Sequence, residues 1–597
     1  MKASQGVVDV VTDLGIQVRR VPATLKQLLA APDCEEWLMS DQRAHQAVLA
    51  AGNVAVRITD VPEGEPIAPC VTQRKYKIEQ STGRLESKND GKKSRHCVNG
   101  ARLAAFREKM GLPPAATGQS NIVDDLVLKM FLADAAGRRR WLTKADIGNA
   151  YAKGVRSRAP GYMYMAKSIE ERDDDGTLMV YKLYTPLWGE TEAGFEWDVE
   201  LDRALTGMGW KQCEGIPAMY WYEQDGSDAR VVKIVDDLLF SESADGTPIT
   251  KASIRQFEKI YKGDVTHEYE PASFAGFKLE RSADRSLLTL SQPQKVLEAV
   301  KVHMPELLEG VVPTRLLRGK ALLDALDKLR LPPPSGEKTA KGSPKLSKAG
   351  KRFQQIVGSG KFFERGVLIC ISRMMHSLSC VMSDPPEAGS AYGDGLLCAE
   401  SVLYRAYRHR FDGITYGRRP DAPRREMVDG RLQMSMSDGA PNEFEVSADS
   451  SHGERCVYGV LATYMGAAVL HLAKKSGSPG CTMEGEQIAS VKGSEVCVYG
   501  NTVQIALGVP STLPPRLLTD NLSNQRVATN SGSASRSRHF LIRYKCLQAR
   551  QNGGGCDVVF TPDADMTADF LTKWINAMKL RLSLLYARGA RPRPGAL

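Results

Sequence analysis

The 12 cysteines form no CxxC pair and stand singly from Cys34 to Cys556. Neither a dense disulfide framework nor a zinc ribbon is therefore expected, and reduced thiols are. No unbroken apolar stretch opens the chain, because Asp9 and Asp13 interrupt it where a secretion signal would need continuity. Long hydrophobic runs are also missing: Gly366 to Met382 is the most apolar segment, yet it carries Arg373 and His376 and is short for a bilayer. A buried helix is expected there, and no membrane partner. No repeat appears at solenoid periods. Acids are the scarcer charge, 70 Asp+Glu against 80 Lys+Arg, for a formal +10. That surplus favours a polyanionic partner, nucleic acid first.

What is present is globular: 597 residues, 42% hydrophobic and 25% charged, room for roughly three to five folding units. Helical spacing runs from Thr24 to Ala51 with a break near Pro32, and a hairpin with a charged tip is expected within Val71 to Arg107. Asp124 to Ala136 reads as helix, Trp141 to Tyr151 as a buried strand entering a helix, and Val231 to Ser241 as strand, tight acidic turn, strand. Leu331 and three prolines open a lysine-rich linker. Helices follow over Phe353 to Cys380 and Gly395 to Tyr407, then a polar stretch about Arg424 to Asn442, a second mixed region to Trp574, and a Pro/Gly/Arg tail of disordered composition. The class is α+β and multidomain.

Two adjacent aspartates, Asp236 and Asp237, sit between short apolar strands. Paired acids in such a turn suffer both repulsion and desolvation, which divalent cations would relieve, although a bare DD is more often a solvated turn. The chain carries its own control, since Ile122 to Leu126 and Ile234 to Leu238 are both Ile-Val-Asp-Asp-Leu. A helix-length apolar run follows the first copy, so Asp124 and Asp125 read as helix-start residues favoured by the dipole. The second copy has an upstream companion, Asp146, with Ala150 and Tyr151 behind it.

Asp146-Ile-Gly-Asn-Ala-Tyr151 and the later Asp236-Asp237 resemble the palm of a reverse transcriptase. Further stretches match in order: Glu36-Trp37, Val61 to Ile67, Ala101-Arg102-Leu103, Met163-Tyr164-Met165, Leu187-Trp188-Gly189 and Phe353 to Cys380. With these, the chain is similar to copia-type LTR retrotransposon Pol polyproteins from about Thr24 to Trp574. The resemblance also implies a ribonuclease H domain with four spaced carboxylates. They stand here as Asp449 in Ser-Ala-Asp-Ser-Ser, Glu486 ahead of Gln-Ile-Ala, Asp520 before Asn521, and Asp569 in Ala-Asp-Phe-Leu-Thr-Lys.

The resemblance implies a helical lead-in over 1–60, fingers and palm over 61–300, thumb and connection over 301–440 with the basic linker near 331–352, a ribonuclease H-like α/β domain over 441–575 and a basic tail over 576–597. Asp146, Asp236 and Asp237 would hold two Mg²⁺ ions, or Mn²⁺, for nucleotidyl transfer, and Asp449, Glu486, Asp520 and Asp569 two more for RNA hydrolysis. Tyr151 would lie under the incoming sugar and exclude a 2′-hydroxyl, or else be a core aromatic. Arg102, with Lys92, Lys93 and Arg95, would meet triphosphate or template phosphates, and His539 would contact phosphate or simply pack. Implied partners are an RNA template, a DNA primer, the RNA/DNA hybrid and deoxynucleoside triphosphates, in a cytoplasmic particle or the nucleus.

The chain departs from the family in three places. Ile234 replaces the tyrosine of Y-V-D-D, Gly100 replaces the lysine of K-A-R-L-V, and Glu190-Thr191-Glu192 replaces L-K-Q. The lost basic positions favour a rival reading, a degenerate or domesticated copy that binds nucleic acid without synthesis, while the intact carboxylates leave metal binding safer than processive synthesis. Neither an aspartic-protease triplet nor an integrase-like His/Cys cluster precedes Thr24, so the C-terminal part of a Pol, or a remnant, is expected. An ATPase suggested by Gly358-Ser-Gly-Lys361 fails, because Gln355 and Phe362 stand where a phosphate loop needs glycine and Ser/Thr.

Overall fold

Pro32 cannot continue a helix, and the leucine-rich start of the chain divides there into α1 (Leu25–Leu29) and α2 (Cys34–Ala50). The computed structural model describes residues 7–12, 15–77, 85, 87–111, 120–156, 160–331, 346–417, 423–428, 431–436, 444–452, 456–477, 479–529 and 541–589. Helix α2 buries Trp37, Asp41, Ala44, His45 and Val48, one face at helical spacing. Next come strands β1 (Cys70–Tyr76) and β2 (Lys92–Val98), paired antiparallel with Lys75 opposite Lys93 and Gln73 opposite Arg95. Side chains alternate across a strand, so Lys93 and Arg95 share one face while Lys92, Ser94 and His96 are buried on the other. Helix α3 (Gly100–Lys109) follows.

The first Ile-Val-Asp-Asp-Leu copy starts α4 (Asp125–Gly137), which is buried from Leu126 to Ala136. Beside it lies a six-stranded antiparallel sheet of β3 (Trp141–Ile147), β4 (Lys211–Cys213), β5 (Ile216–Gln224), β6 (Ser227–Ile234), β7 (Asp237–Glu242) and β8 (Val265–Tyr269), in the order β4-β5-β6-β7-β3-β8. Helix α5 (Ala193–Gly207) buries Trp197, Leu201 and Leu205 in a cluster with Ala145, Leu238 and Phe240 of this sheet.

Helices α6 (Lys348–Gly366), α7 (Ser372–Ser379) and α8 (Gly395–Arg408) follow. The buried helix expected over Gly366 to Met382 is interrupted: α6 ends at Gly366, and a 3-10 turn at Ile369–Ile371 precedes α7. The expected polar stretch after Arg424 instead holds a hairpin, Pro423–Val428 with Arg431–Met436, whose two strands pair antiparallel throughout. Strand Leu287–Ser291 pairs with Gly413–Gly417, so segments on either side of the lysine-rich linker share a sheet.

A five-stranded sheet closes the fold, in the order β11-β10-β9-β12-β13, from β9 (Glu445–Ser451), β10 (Val457–Tyr464), β11 (Ala467–Lys475), β12 (Arg516–Thr519) and β13 (Asp557–Phe560). β9, β10 and β11 run antiparallel, whereas β9, β12 and β13 run parallel. Helix α9 (Thr482–Ala506) lies on this sheet. A Cβ at Gly493 would stand 2.6 Å from Leu517 and 3.1 Å from Ala448, and one at Gly485 2.9 Å from Ser450, so both glycines let α9 close on β9. Short helix α10 (Asp569–Thr572) packs against β9, β10 and β11, and final helix α11 (Ala577–Arg588) against β11. One buried apolar cluster runs through both halves, from Val123 to Ala587. None of the 12 cysteines is in a disulfide, and among the described residues no helix is long and apolar enough to cross a membrane.

Candidate functional site

Two groups of carboxylates stand out. In the first, Asp146 on β3 lies directly opposite Asp237 on β7, and Asp236 occupies the β6–β7 turn. That turn is two residues long, and Val235 adopts φ 61°. A β-branched side chain there is strained, at a cost of about 1–3 kcal/mol. Neighbours hold the turn: Trp197 Nε1 donates to Val235 O at 2.8 Å and Ile147 N–H to Asp236 O at 3.2 Å.

Burial, then the charge of Asp237, raises the Asp146 carboxyl above its ordinary range. Burial also raises Asp236, and the charges of Asp146 and Asp237 add to it. Cations answer from β2 and β3. Lys144 Nζ lies 3.3 Å from Asp237, the Lys93 charge acts on Asp146, and Arg95, stacked 5.2 Å over the Trp188 ring, acts on Asp236. Lys93 itself is pushed down to about 8, by burial first and then by Arg95, Lys77 and Lys75. Tyr151 is half-buried, 6.3 Å from the Trp188 ring, and is raised by burial and by the Asp236 charge, so the two share a locality.

The remaining basic residues singled out in the sequence go elsewhere. Lys92 is buried, 3.3 Å from Asp33 and over the rings of Trp37 and Tyr76. Arg102 is exposed on α3, with its backbone N–H bonded to Asn99. His539 lies outside the described residues. The departures from the family pattern have local reasons. A Cβ at Gly100 would stand 2.1 Å from Gly189 O, so this contact has no room for a lysine stem. Glu190 is buried in a two-bond pair with Arg156 at 2.7 and 3.1 Å and also accepts from Leu187 N–H. Glu192 is buried and accepts from Thr191 Oγ1. Neither acid is a loose charge. Gly358 to Lys361 lies inside α6, not at a loop-to-helix junction.

The second group gathers residues far apart in the chain. Asp449 comes from the middle of β9, Glu486 from the first turns of α9, Asp520 from just past β12 and Asp569 from the start of α10. Ligand oxygens of Asp449, Glu486 and Asp520 all lie within 4.8 Å of one another, and so do those of Asp520, Asp563 and Asp569. Asp449 and Asp569 are fully buried and Glu486 is 5% exposed. Asp449 Oδ1, Glu486 Oε2 and Asp569 Oδ1 are buried without a hydrogen-bond partner. Lys573 Nζ is the cation beside two of them, 3.2 Å from Asp569 Oδ1 and 3.7 Å from Asp449 Oδ1, and converging buried carboxylate oxygens of this kind fit a hard divalent cation such as Mg²⁺ or Mn²⁺. Burial, then the charges of Asp569 and Glu486, raises Asp449 well above its ordinary value. Glu486 is pushed up to about 8 by burial and by Asp520, although Ser450 donates to it at 2.8 Å.

No family model matches this chain, and no curated protein matches it. Among solved structures it is similar to a foamy viral protease-reverse transcriptase in complex with double-stranded DNA, at 11% identity and a TM-score of 0.42, over 88% of this chain and 69% of that one.

Sequence reasoning missed three participants in the second group. Asp563 follows β13 in a stretch with no motif, and Lys579 lies in the segment expected as a basic tail, whose residues Ala577–Arg588 instead form a helix. Thr572, though inside a quoted motif, was given no role; its hydroxyl donates to Asp449 Oδ2. Only the fold brings these groups together. A third set of potential ligands, Cys370, His409 and Asp412, also converges within 4.8 Å. Arg588 Nη1 sits 2.9 Å from Asp412, however, and His409 Nδ1 2.8 Å from the same oxygen, so a permanent cation already neutralises that carboxylate. The Asp146, Asp236 and Asp237 trio is not among the sets that converge within 4.8 Å.

Proposed function

We propose that this chain is an RNA-directed DNA polymerase with ribonuclease H activity, of the copia retrotransposon type. The observation that carries the reading is the meeting of Asp449, Glu486 and Asp520, and of Asp520 with Asp569, with Glu486 Oε2 left without a hydrogen-bond partner in a buried site. They are the same four residues that the sequence resemblance implies. The cross-strand pair Asp146–Asp237 beside Asp236 supports the polymerase half.

Asp146, Asp236 and Asp237 would hold one pair of divalent ions and Asp449, Glu486, Asp520 and Asp569 another. Bound there, the ions would activate the attacking oxygen and neutralise charge on the phosphate. The protein's own contribution is positional. Lys93 and Arg95 present cations toward the carboxylate turn from the same strand face, where template or triphosphate phosphates would be met. Tyr151, packed edge-on against Trp188, is a rigid aromatic wall beside Asp236, suited to exclude a 2′-hydroxyl by bulk. The expected partners are an RNA template, a DNA primer and deoxynucleoside triphosphates.

The rival reading, a copy that binds nucleic acid without synthesis, rested on the changed positions Gly100 and Glu190 to Glu192. Their packing weakens it, because the two glutamates are structurally engaged. The test is Mg²⁺-dependent extension of a DNA primer on an RNA template, with template cleavage followed in the same tube. Asp236→Asn is expected to abolish extension alone and Asp449→Asn cleavage alone. Hybrid binding with neither activity would leave the binding protein as the correct reading.

A further inference from the structure

The cations around the second carboxylate group are distributed unevenly. Lys573 Nζ lies 3.2 Å from Asp569, 3.7 Å from Asp449 and 3.8 Å from Asp563. Lys579 Nζ contacts Asp569 Oδ2, lies 3.2 Å from Asp563 Oδ2 and donates to the Asp563 carbonyl. Two ammonium groups therefore occupy the Asp563–Asp569 side. On the other side Glu486 Oε2 has no hydrogen-bond partner, and Asp449 Oδ1 has only Lys573 Nζ, at 3.7 Å.

Lys579 is not a loose surface lysine. Its backbone N–H is capped by Asn576 at 2.9 Å, fixing it in the first turn of α11. Helix α11 is anchored at its far end, where Tyr586 Oη donates to Glu445 at 2.6 Å, Arg588 pairs with Asp412, and Leu584 and Ala587 are buried. A docked helix thus delivers a tethered cation to oxygens that a diffusible one would otherwise take.

We propose that Lys579 competes with a divalent cation for the Asp563–Asp569 side of this site, so that the site takes one ion readily and a second only when Lys579 withdraws. The proposal rests on the metal-binding reading above and adds a built-in regulator, the final helix. An ammonium and a divalent ion cannot share the same carboxylate oxygens without strong repulsion at contact distance. Release of the first turn of α11, by a nucleic acid phosphate drawing Lys579 away or by local unfolding, would open the second position.

The test is Mn²⁺ titration of the full chain by calorimetry, in an Asp146→Asn/Asp236→Asn background that silences the other carboxylates. The parent is expected to bind one ion tightly. Lys579→Met is expected to tighten the second ion roughly tenfold or more, and Lys579→Arg, which keeps the charge, to titrate like the parent. Identical titrations of Lys579→Met and the parent would overturn the proposal. Should Lys579→Met fail to melt cooperatively, Lys579→Gln serves in its place and must show the same tightening. Asp449→Asn separates the two layers: if it binds Mn²⁺ like the parent, the metal-site reading itself falls, whereas loss of the first ion with no effect at Lys579 removes the competition alone.

Discussion

The two Ile-Val-Asp-Asp-Leu copies meet in space. Val123 N–H of the first donates to the Lys233 carbonyl, one residue before the second begins. Identical residues nonetheless do opposite work. In the first copy Asp124 adopts extended dihedrals, its carboxylate accepts from Val127 N–H at 2.9 Å, and the chain enters α4. In the second, Val235 takes φ 61°, the chain reverses, and the charges of Asp146 and Asp237 act on Asp236. What differs is the following sequence: Val127 to Ala136 is largely apolar, has helix length and is buried on every side, whereas Leu238 to Phe240 must serve as a central strand between β6 and β3. A short motif acquires chemistry only from the element that carries it.

The sharpest way to break this comparison is through activity. Asp236→Asn is expected to lower primer extension at least about a hundredfold, the scale for removing one preorganised charge from a transition state. Asp124→Ala should leave extension within about twofold, because that carboxylate is occupied by a helix end and by the Tyr499 hydroxyl. Equal losses in a single-turnover extension assay would mean that the first copy shares in the chemistry.

Next in size is the contrast between the valines. Val123 is buried in the large apolar cluster, so Val123→Gly should cost about 2 kcal/mol or more in urea unfolding, from lost burial and added chain freedom. Val235→Gly should be neutral or gain up to about 1 kcal/mol, since glycine accepts the positive φ and offsets its own entropy cost. A large loss at Val235 would show that its side chain, not its backbone, holds the turn.

Much of this was legible in the sequence because it is local. The break at Pro32, α4, the acidic turn and the four spaced carboxylates all announce themselves within a few residues. The interrupted helix after Gly366 and the Pro423–Met436 hairpin were less so. In the first, apolar composition hid a change of hydrogen bonding; in the second, a polar composition masked a strand pair. Long-range facts could not be read at all. Gly100 looked like a lost lysine and is a backbone contact with Gly189. Glu190 looked like a misplaced charge and is the buried partner of Arg156. Asp563 and Lys579 carry no motif, and their role depends on where β13 and α11 end in space.

The smallest expected effect separates the two aspartates by sign. Asp124→Ala removes a helix cap and should cost about 1 kcal/mol. Asp236→Asn should stabilise the metal-free protein slightly at neutral pH, because burial and the charges of Asp146 and Asp237 raise the Asp236 carboxyl in the fold. A carboxyl raised on folding binds its proton more tightly in the native state than in the unfolded chain. Native stability is then highest below the ordinary carboxylate range and falls as pH rises through the raised value. The gain from Asp236→Asn should therefore be absent near pH 3, appear as pH climbs past the ordinary aspartate range, and persist at pH 7. Thermal melts of the two variants and the parent across that range, with chelator present, check it. Saturating Mn²⁺ should reverse the sign for Asp236→Asn and leave Asp124→Ala unchanged, because only the second copy's carboxylate trades repulsion for a bound cation. If both variants destabilise equally at every pH, the two copies are structural twins, and the distinction drawn from their surroundings is wrong.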